Sequence, residues 1–232
     1  MRGEFSSDKP HSQGWTSDRL KERRMFADMP QSDISQSDIS QSDISQSGIS
    51  PDILRSAAEL EVQLKISPPA IANPIYLNHR LWIMRAIALA QTAAGQGEVP
   101  VAAIVVDRQN QLITYATNRK EQDCDPTAHA EVLALRAAGK QLGNWHLNDC
   151  TLYVTLEPCP MCAGAIVQSR LGLLVYGASD PKAGAIASVL NLPDSAASNH
   201  RLQVLGGILE APCREQLQQW FKAKRSRKKP AN

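Results

Sequence analysis

The segment Thr127-Ala128-His129-Ala130-Glu131 is followed by Pro158-Cys159-Pro160-Met161-Cys162, near the end of a stretch that closes at Ala163. Read together, the two segments give H-x-E and then P-C-x-x-C. Each half is weak alone, because H-x-E occurs on many surface helices and C-x-x-C can be a redox pair or half of a zinc ribbon. The order, the separation and the proline before Cys159 make the joint pattern specific.

The residue types in this pattern predict a zinc site. Zinc prefers four tetrahedral ligands, and a catalytic site leaves one position to water. His129, Cys159 and Cys162 would supply the other three. Cysteines at i and i+3 share one face of a helix, and a helix N-terminus favours their thiolates. Zinc lowers the pKa of a bound water from ~15.7 towards ~7, and we expect Glu131 to act as the proton shuttle.

This order of ligands and acid is the signature of the zinc nucleobase deaminases. Two other interpretations remain at this stage. Cys159 and Cys162 could belong to a structural zinc site, for which the candidate fourth ligands are His146, Cys150 and His200. The chain could also be a non-catalytic zinc module that binds RNA. Glu131 favours catalysis over both, because a closed structural site has no use for a carboxylate beside it.

The composition indicates one globular domain together with a polar segment. The chain has 232 residues, is 43% hydrophobic, carries a net charge of +2 and contains five cysteines. Five scattered cysteines indicate thiols in a reducing compartment rather than a disulfide framework. No apolar run is long enough for a membrane span, and the N-terminus has no apolar signal region. We therefore expect a cytoplasmic location.

Residues 1–73 differ from the rest and are predicted to be a disordered, low-complexity extension. A tandem pentad, Gln31-Ser-Asp-Ile-Ser35, recurs at Gln36 and Gln41, and at Gln46 with glycine in place of the aspartate. An isoleucine at every fifth residue gives neither a helix nor a strand an apolar face. Four units could instead form about one coil of a β-solenoid, which needs stacked neighbours. Within the extension, apolar spacing allows a short helix over 52–66, which three prolines separate from the domain.

A deaminase domain is predicted over 74–226, followed by a basic tail over 227–232. Its predicted helices cover 77–94, 128–138, the turns between Pro160 and Leu171, and 210–224. Leu217, Trp220 and Phe221 of the last helix are expected to face inward. The predicted strands cover 101–106, 111–117, 151–156, 171–177 and 202–205, and 179–198 is expected to be a loop with a short helix. Alternation of strands and helices predicts an α/β layer sandwich with a mixed sheet.

Longer segments resemble the bacterial TadA-type tRNA adenosine deaminases over roughly 77–224. The resemblance lies in Gly97-Glu-Val-Pro-Val101, Asn118-Arg119, Asp125-Pro-Thr-Ala-His-Ala-Glu131, the segment from Thr151 to Ile166, and Tyr176-Gly-Ala-Ser-Asp-Pro-Lys-Ala-Gly184. It implies a three-layer α/β/α cytidine-deaminase-like fold with a central mixed sheet, one zinc ion per subunit and a homodimer. The implied activity is conversion of adenosine to inosine at the wobble position (34) of a tRNA anticodon.

The same resemblance implies roles for individual residues. His129, Cys159 and Cys162 match the zinc ligands, and Glu131 matches the proton shuttle. The residues that match substrate contacts are Asn118, Val99, Pro100, Asp180 and Lys182. Asn118 matches the contact to a flipped-out adenine, and Val99 and Pro100 match the pocket wall. Asp180 and Lys182 match a loop near the anticodon nucleotides. Ser179 departs from the pattern, since related chains often carry a basic residue there, and the N-terminal extension has no counterpart in the short bacterial enzymes.

The C-terminal end is basic, which fits an RNA substrate. The cations are Lys222, Lys224, Arg225, Arg227, Lys228 and Lys229. They complement the dipole of the last helix, and six in so short a run also indicate phosphate contact. The alternative activity is deamination of a free base or nucleotide of the guanine or cytosine type. The same four residues of the zinc site would serve it, but the basic tail and the length of the resemblance favour tRNA.

Overall fold

A computed structural model describes residues 50–69 and 73–228, with side chains as far as 226. Residues 1–49 and 70–72 of the predicted extension, with all of the QSDIS repeats except Ser50, lie outside the described residues, as do 229–232 of the predicted tail. No helix in the part of the chain that the structure describes is long and apolar enough to cross a membrane.

A five-stranded mixed sheet forms the centre of the domain, in the order β2-β1-β3-β4-β5. Its strands are β1 (Ala102–Val106), β2 (Leu112–Thr117), β3 (Thr151–Leu156), β4 (Leu173–Ala178) and β5 (Gln203–Leu205). β1 runs antiparallel to β2 and β3, whereas β3, β4 and β5 are parallel. Every residue of β1 is buried, because this strand lies inside the sheet with both faces covered.

Helices cover both faces of the sheet. They are α1 (Pro51–Leu54), α2 (Ala57–Leu64), α3 (Pro74–Gly95), α4 (Lys120–Asp123), α5 (Ala130–Leu142), α6 (Pro160–Gln168) and α7 (Glu210–Lys228). Buried apolar side chains of α5 and α6 pack with Ala103, Val105 and Val154 on one face of the sheet. On the other face α3 packs with Ile104 and Tyr153. The predicted three-layer α/β/α fold is confirmed.

The domain begins earlier than the predicted boundary between residues 73 and 74. Ile53 of α1 and Leu60 of α2 are 1% and 0% exposed, and both pack against α3. Arg80 of α3 also forms an ion pair with Glu61 at 3.1 Å. The prolines at 68, 69 and 74 predicted that the short helix over 52–66 is separate from the domain, but the segment forms two helices whose apolar residues pack against α3. Residues 51–66 are therefore part of the folded domain, and Ile53 and Leu60 are part of its core.

Two further expectations differ from the structure. Residues 179–198 contain turns and no helix, because their backbone N–H groups bind a buried carboxylate described below. The side chain of Phe221 is 43% exposed rather than inward, whereas Leu217 is buried as expected. Helix α4 was not predicted, since four polar residues give no periodic signal.

Candidate active site

Two helix N-termini meet at the site. His129 is the N-cap residue of α5, and Cys159 is the N-cap residue of α6, with Pro160 at the first helical position. Cys162 lies one turn into α6 and is fully buried, while Cys159 and His129 are half-buried. The first turn of α5 also carries Glu131, which is 4% exposed. The sequence therefore brings all four residues of the two motifs into one place.

The two sulfurs and the imidazole are arranged around a common point. His129 Nδ1 lies 3.7 Å from Cys159 Sγ and 3.5 Å from Cys162 Sγ. The three candidate ligand atoms all lie within 4.8 Å of one another. Ligands at the usual zinc distances on a tetrahedron are separated by about 3.6 Å. One nitrogen and two sulfurs at this spacing fit a tetrahedral ion of the size and softness of zinc.

The pKa values of the two thiols shift in opposite directions because the thiols hydrogen-bond to each other. A hydrogen bond from Cys162, together with His129, lowers the pKa of the Cys159 thiol to about 4. The same hydrogen bond and burial raise the pKa of the Cys162 thiol. Since a metal ligand must be a thiolate, binding of a cation at this point would release the proton of the Cys162 thiol. Burial raises the pKa of the Glu131 carboxyl.

The three residues left open as fourth ligands lie elsewhere. The His146 ring contacts the ring of Trp145 in a tilted arrangement with centroids 3.6 Å apart, and His200 Nε2 lies 2.6 Å from the carbonyl oxygen of Leu171. Cys150 is buried directly before β3, outside the cluster. Among the residues that the structure describes, no fourth His, Cys or carboxylate ligand joins the group. The arrangement thus leaves one tetrahedral position open, as a catalytic site requires.

The predicted pocket residues lie on segments that lead towards this site. Asn118 follows β2 and is 5% exposed; its Nδ2 donates to Glu98 Oε2 at 2.8 Å. Arg119, the next residue, donates its backbone N–H to the carbonyl of Ala128, one residue before His129. The predicted wall residues, Val99 (half-buried) and Pro100 (buried), directly follow Glu98 in the chain.

The loop after β4 is held by a residue that the motifs did not identify. Glu157 is 1% exposed, and its carboxylate accepts hydrogen bonds from Asp180 N, Ile186 N, Ala187 N, Ser188 N and the Ser188 hydroxyl. Burial opposes ionisation, but these donors lower the pKa of the Glu157 carboxyl. Because Glu157 directly precedes Pro158 and Cys159, these hydrogen bonds hold the loop next to the N-terminus of α6.

The loop residues Asp180 and Lys182 are less enclosed. Asp180 is half-buried and accepts a bond from the backbone N–H of Lys182 at 2.9 Å, which closes a local turn. The Lys182 side chain is exposed. Glu98 and Glu157 carried no signal of their own in the sequence, because a single acid between turn or apolar residues usually lies at the surface.

Comparison with known proteins identifies the family. The sequence model of the MafB19-like deaminases matches residues 77–225. A tRNA-specific adenosine deaminase of Haemophilus influenzae is 46% identical over 144 residues, which is 62% of this chain and 83% of that protein.

Solved structures agree. One from studies of A-to-I editing by tRNA:A34 deaminases at the wobble position has a TM-score of 0.55 and 39% identity, over 57% of this chain and 95% of that one. A guanine deaminase from Nitrosomonas europaea has a TM-score of 0.54 at 26% identity, over 69% of this chain and 91% of that one. The higher identity to the tRNA-specific adenosine deaminases, together with the deaminase sequence model over residues 77–225, places this chain in the family of TadA-type tRNA-specific adenosine deaminases.

Proposed function

We propose that this protein is a zinc-dependent hydrolase that deaminates adenosine to inosine at the wobble position of a tRNA anticodon. The observation that carries the proposal is the open three-ligand cluster with buried Glu131 beside it, in a chain 46% identical to a tRNA-specific adenosine deaminase. A tRNA substrate supports the cytoplasm as the place where the enzyme works.

His129, Cys159 and Cys162 would hold the zinc ion, one per subunit. Their spacing and chemistry fit it, as described above. When bound, zinc supplies a Lewis acid that makes hydroxide available at neutral pH. The positive ends of α5 and α6 point at the cluster, which stabilises the two thiolates.

Glu131 performs the proton transfers in the proposed mechanism. Water attacks C6 of the adenine, so that a C–O bond forms and the C6–N bond to the amine breaks, and ammonia leaves. The Glu131 carboxylate accepts a proton from the attacking water and delivers it to the ring nitrogen beside C6. It then accepts the remaining proton from the new C6 hydroxyl and delivers it to the departing amine, which leaves as ammonia. Asn118 contacts the flipped-out base, and Val99 and Pro100 form the wall against which that base lies.

The main rival is a free-base deaminase of the guanine type. It uses the same zinc chemistry, and a guanine deaminase shares the fold at 26% identity. Higher identity to the tRNA enzymes favours the nucleic acid substrate. A non-catalytic zinc module is disfavoured because it does not need a buried carboxylate beside an open coordination position.

The deciding experiment is inosine formation by the purified zinc-loaded protein. A tRNA with adenosine at the wobble position is compared with the same tRNA carrying guanosine there, and with free adenosine, guanine and cytidine. Inosine in the first tRNA alone is the expected result. Ammonia release from a free base, with the tRNA unchanged, would leave the zinc chemistry standing but would contradict the proposed substrate.

The exposed end of α7 supports an RNA-binding surface. A cavity of about 330 Å³ is lined by Val99 of the proposed pocket wall, by Glu121 of α4, and by Trp220, Phe221, Lys224 and Arg225 of α7. Lys224 Nζ donates to the Gly97 carbonyl at 3.1 Å and lies over the Trp220 ring. Aromatic rings beside cations suit single-stranded RNA, whose bases stack and whose phosphates pair with the charges.

Salt dependence tests this surface. Deletion of 222–232 is expected to reduce the slope of log affinity against log salt, because each lost single-strand phosphate contact removes about 0.7 from it. Arg108→Gln, on the exposed β1–β2 turn, serves as the control with one charge removed. An unchanged slope after the deletion would show that residues 222–232 do not contact phosphates.

The homodimer is supported by an apolar groove on the outer face of α5 and α6. Its volume is about 620 Å³, and its lining includes Val132, Leu135, Trp145 and Ala165. Trp145 is 60% exposed, which is unusual for so large an apolar side chain. Light scattering should give twice the mass of one chain for the wild type and for Val62→Asp, but one chain mass for Trp145→Asp. A monomeric wild type would contradict the dimer.

A further inference from the structure

Glu98 is a buried acid that the proposed chemistry does not use. It is 1% exposed, between Gly97, whose φ of +88° suits glycine, and the wall residue Val99. Burial of a carboxylate is costly unless hydrogen bonds replace its water. Among the described residues, Glu98 has no ion pair with a lysine or arginine; its partners are two N–H groups. Hydrogen bonds from these two donors therefore stabilise the buried Glu98 carboxylate.

The two donors belong to different elements. Oε2 accepts from Asn118 Nδ2, after β2, and Oε1 accepts from the backbone N–H of Gln122 in α4, each at 2.8 Å. The backbone N–H of Glu98 itself donates to the carbonyl of Ala93 near the end of α3, at 3.1 Å. One side chain thus connects the wall segment, the residue predicted to meet the base, and the short helix beyond it.

This contact fixes the orientation of the Asn118 amide. With an N–H donor at each oxygen, the Glu98 group acts purely as an acceptor, so the amide nitrogen must face it and the amide oxygen must face away. The backbone of Asn118 is held as well, since its N–H donates to the Val101 carbonyl at 3.0 Å. Arg119 then bonds to Ala128, next to His129. These hydrogen bonds fix the position and the orientation of the Asn118 amide relative to His129.

We propose that Glu98 is a positioning residue for deamination: it holds the Asn118 amide in the orientation that receives the target base. The proposal rests on the proposed function, because it requires that Asn118 contacts the substrate. A glutamate that merely stabilised the fold would act on stability alone, and its effect on catalysis would not depend on Asn118.

A double-mutant cycle separates the two roles. Glu98→Gln offers one acceptor and one donor to two N–H groups, so the Asn118 amide loses its partner or turns. We expect kcat/KM for inosine formation in tRNA to fall by about 10- to 100-fold, the usual effect of losing a group that orients a substrate contact. In the Asn118→Ala background the same substitution should change kcat/KM by less than about twofold. The control, Glu215→Gln, replaces an exposed acid of α7 by the same chemistry.

A pair exchange keeps the test usable even where Glu98→Gln alone unfolds. In E98Q/N118D, the introduced glutamine accepts from the Gln122 N–H through its oxygen, and its amide donates to the introduced aspartate. The hydrogen bond between the two positions is thereby kept with donor and acceptor reversed. The melting temperature should return towards that of the wild type, whereas kcat/KM should stay low because the orienting amide is gone.

Three outcomes would overturn the proposal: unchanged activity of Glu98→Gln, equal losses in both backgrounds, or recovery of activity in the pair exchange. Each of these results is read against an active wild type. A wild type that forms no inosine in the tRNA would instead contradict the proposed function.

Discussion

Substitution of Glu131, the proposed proton shuttle, should distinguish catalysis from metal binding. It lies beside the cluster but outside the group of ligands that could hold the ion. Glu131→Gln preserves shape and removes the proton acceptor, so inosine formation should fall by at least about 10²- to 10⁴-fold, the contribution of one general acid–base group. Zinc content, measured by mass spectrometry, should remain one per chain.

The matched variant is Cys159→Ala, which should lose both zinc and turnover, because two ligands no longer hold the ion tightly. Retained turnover in Glu131→Gln would assign the proton transfers to another group. Loss of zinc in that variant would instead make Glu131 part of the metal site.

Buried His79 gives a second prediction at the residue scale. It is 7% exposed, with Nδ1 2.8 Å from the Tyr153 hydroxyl, and burial lowers its pKa. The folded protein therefore binds this proton less readily than the unfolded chain. The free energy of unfolding should fall as the pH drops below about 6.5, the ordinary histidine pKa.

Denaturant unfolding at pH 7.5 and 5.5 measures this effect. In His79→Gln the group cannot titrate, so the loss of stability between the two pH values should be smaller than in the wild type. The difference between the two proteins isolates His79 from the metal ligands, which they share. Equal losses would mean that His79 does not contribute.

At the scale of elements, Glu157 and Gly184 hold the loop after β4 against α6. A Cβ at residue 184 would meet the Glu157 carboxylate and lie 2.6 Å from the Asp180 carbonyl. Gly184→Ala should therefore destabilise the protein by about 1–3 kcal/mol, the usual cost of overpacking. It should also raise KM for tRNA, since the loop carries Asp180 and Lys182.

Gly164→Ala is the control within α6. Nothing lies within 4 Å of a Cβ added there, and alanine is the better helix former by about 0.5–1 kcal/mol. Thermal unfolding should show a lower melting temperature for Gly184→Ala and an equal or higher one for Gly164→Ala. If Gly184→Ala kept the melting temperature of the wild type, the loop would be able to shift away from Glu157 without cost.

At the scale of the whole molecule, the N-terminal helices belong to the folded domain. Leu60 is fully buried against α3, whereas Val62, on the same helix, is 81% exposed. Leu60→Ala should cost about 2–5 kcal/mol of unfolding free energy. Val62→Ala should stay within about 0.5 kcal/mol of the wild type. If both variants matched the wild type, α2 would contribute nothing to the stability of the domain.

The sequence alone determined the features that local patterns encode. The strand of residues 151–156, the starts of α5 and α6 at His129 and Cys159, and the order of strands and helices follow from periodicity, proline placement and motif spacing. Short-range spacing also predicted that Cys159 and Cys162 would share one end of a helix. These features depend on a few neighbouring residues, so a linear reading finds them.

Only the tertiary structure decided the rest. Glu98 and Glu157 are isolated acids in the sequence, and their importance comes from donors that lie 20 or more residues away along the chain. Likewise, apolar spacing allows a short helix over 52–66, but only the tertiary structure shows that α3 supplies the apolar surface that buries Ile53 and Leu60. Burial depends on which distant segments meet, so the sequence could identify the candidate zinc ligands and Glu131 but not the carboxylates that hold the surrounding loops in place.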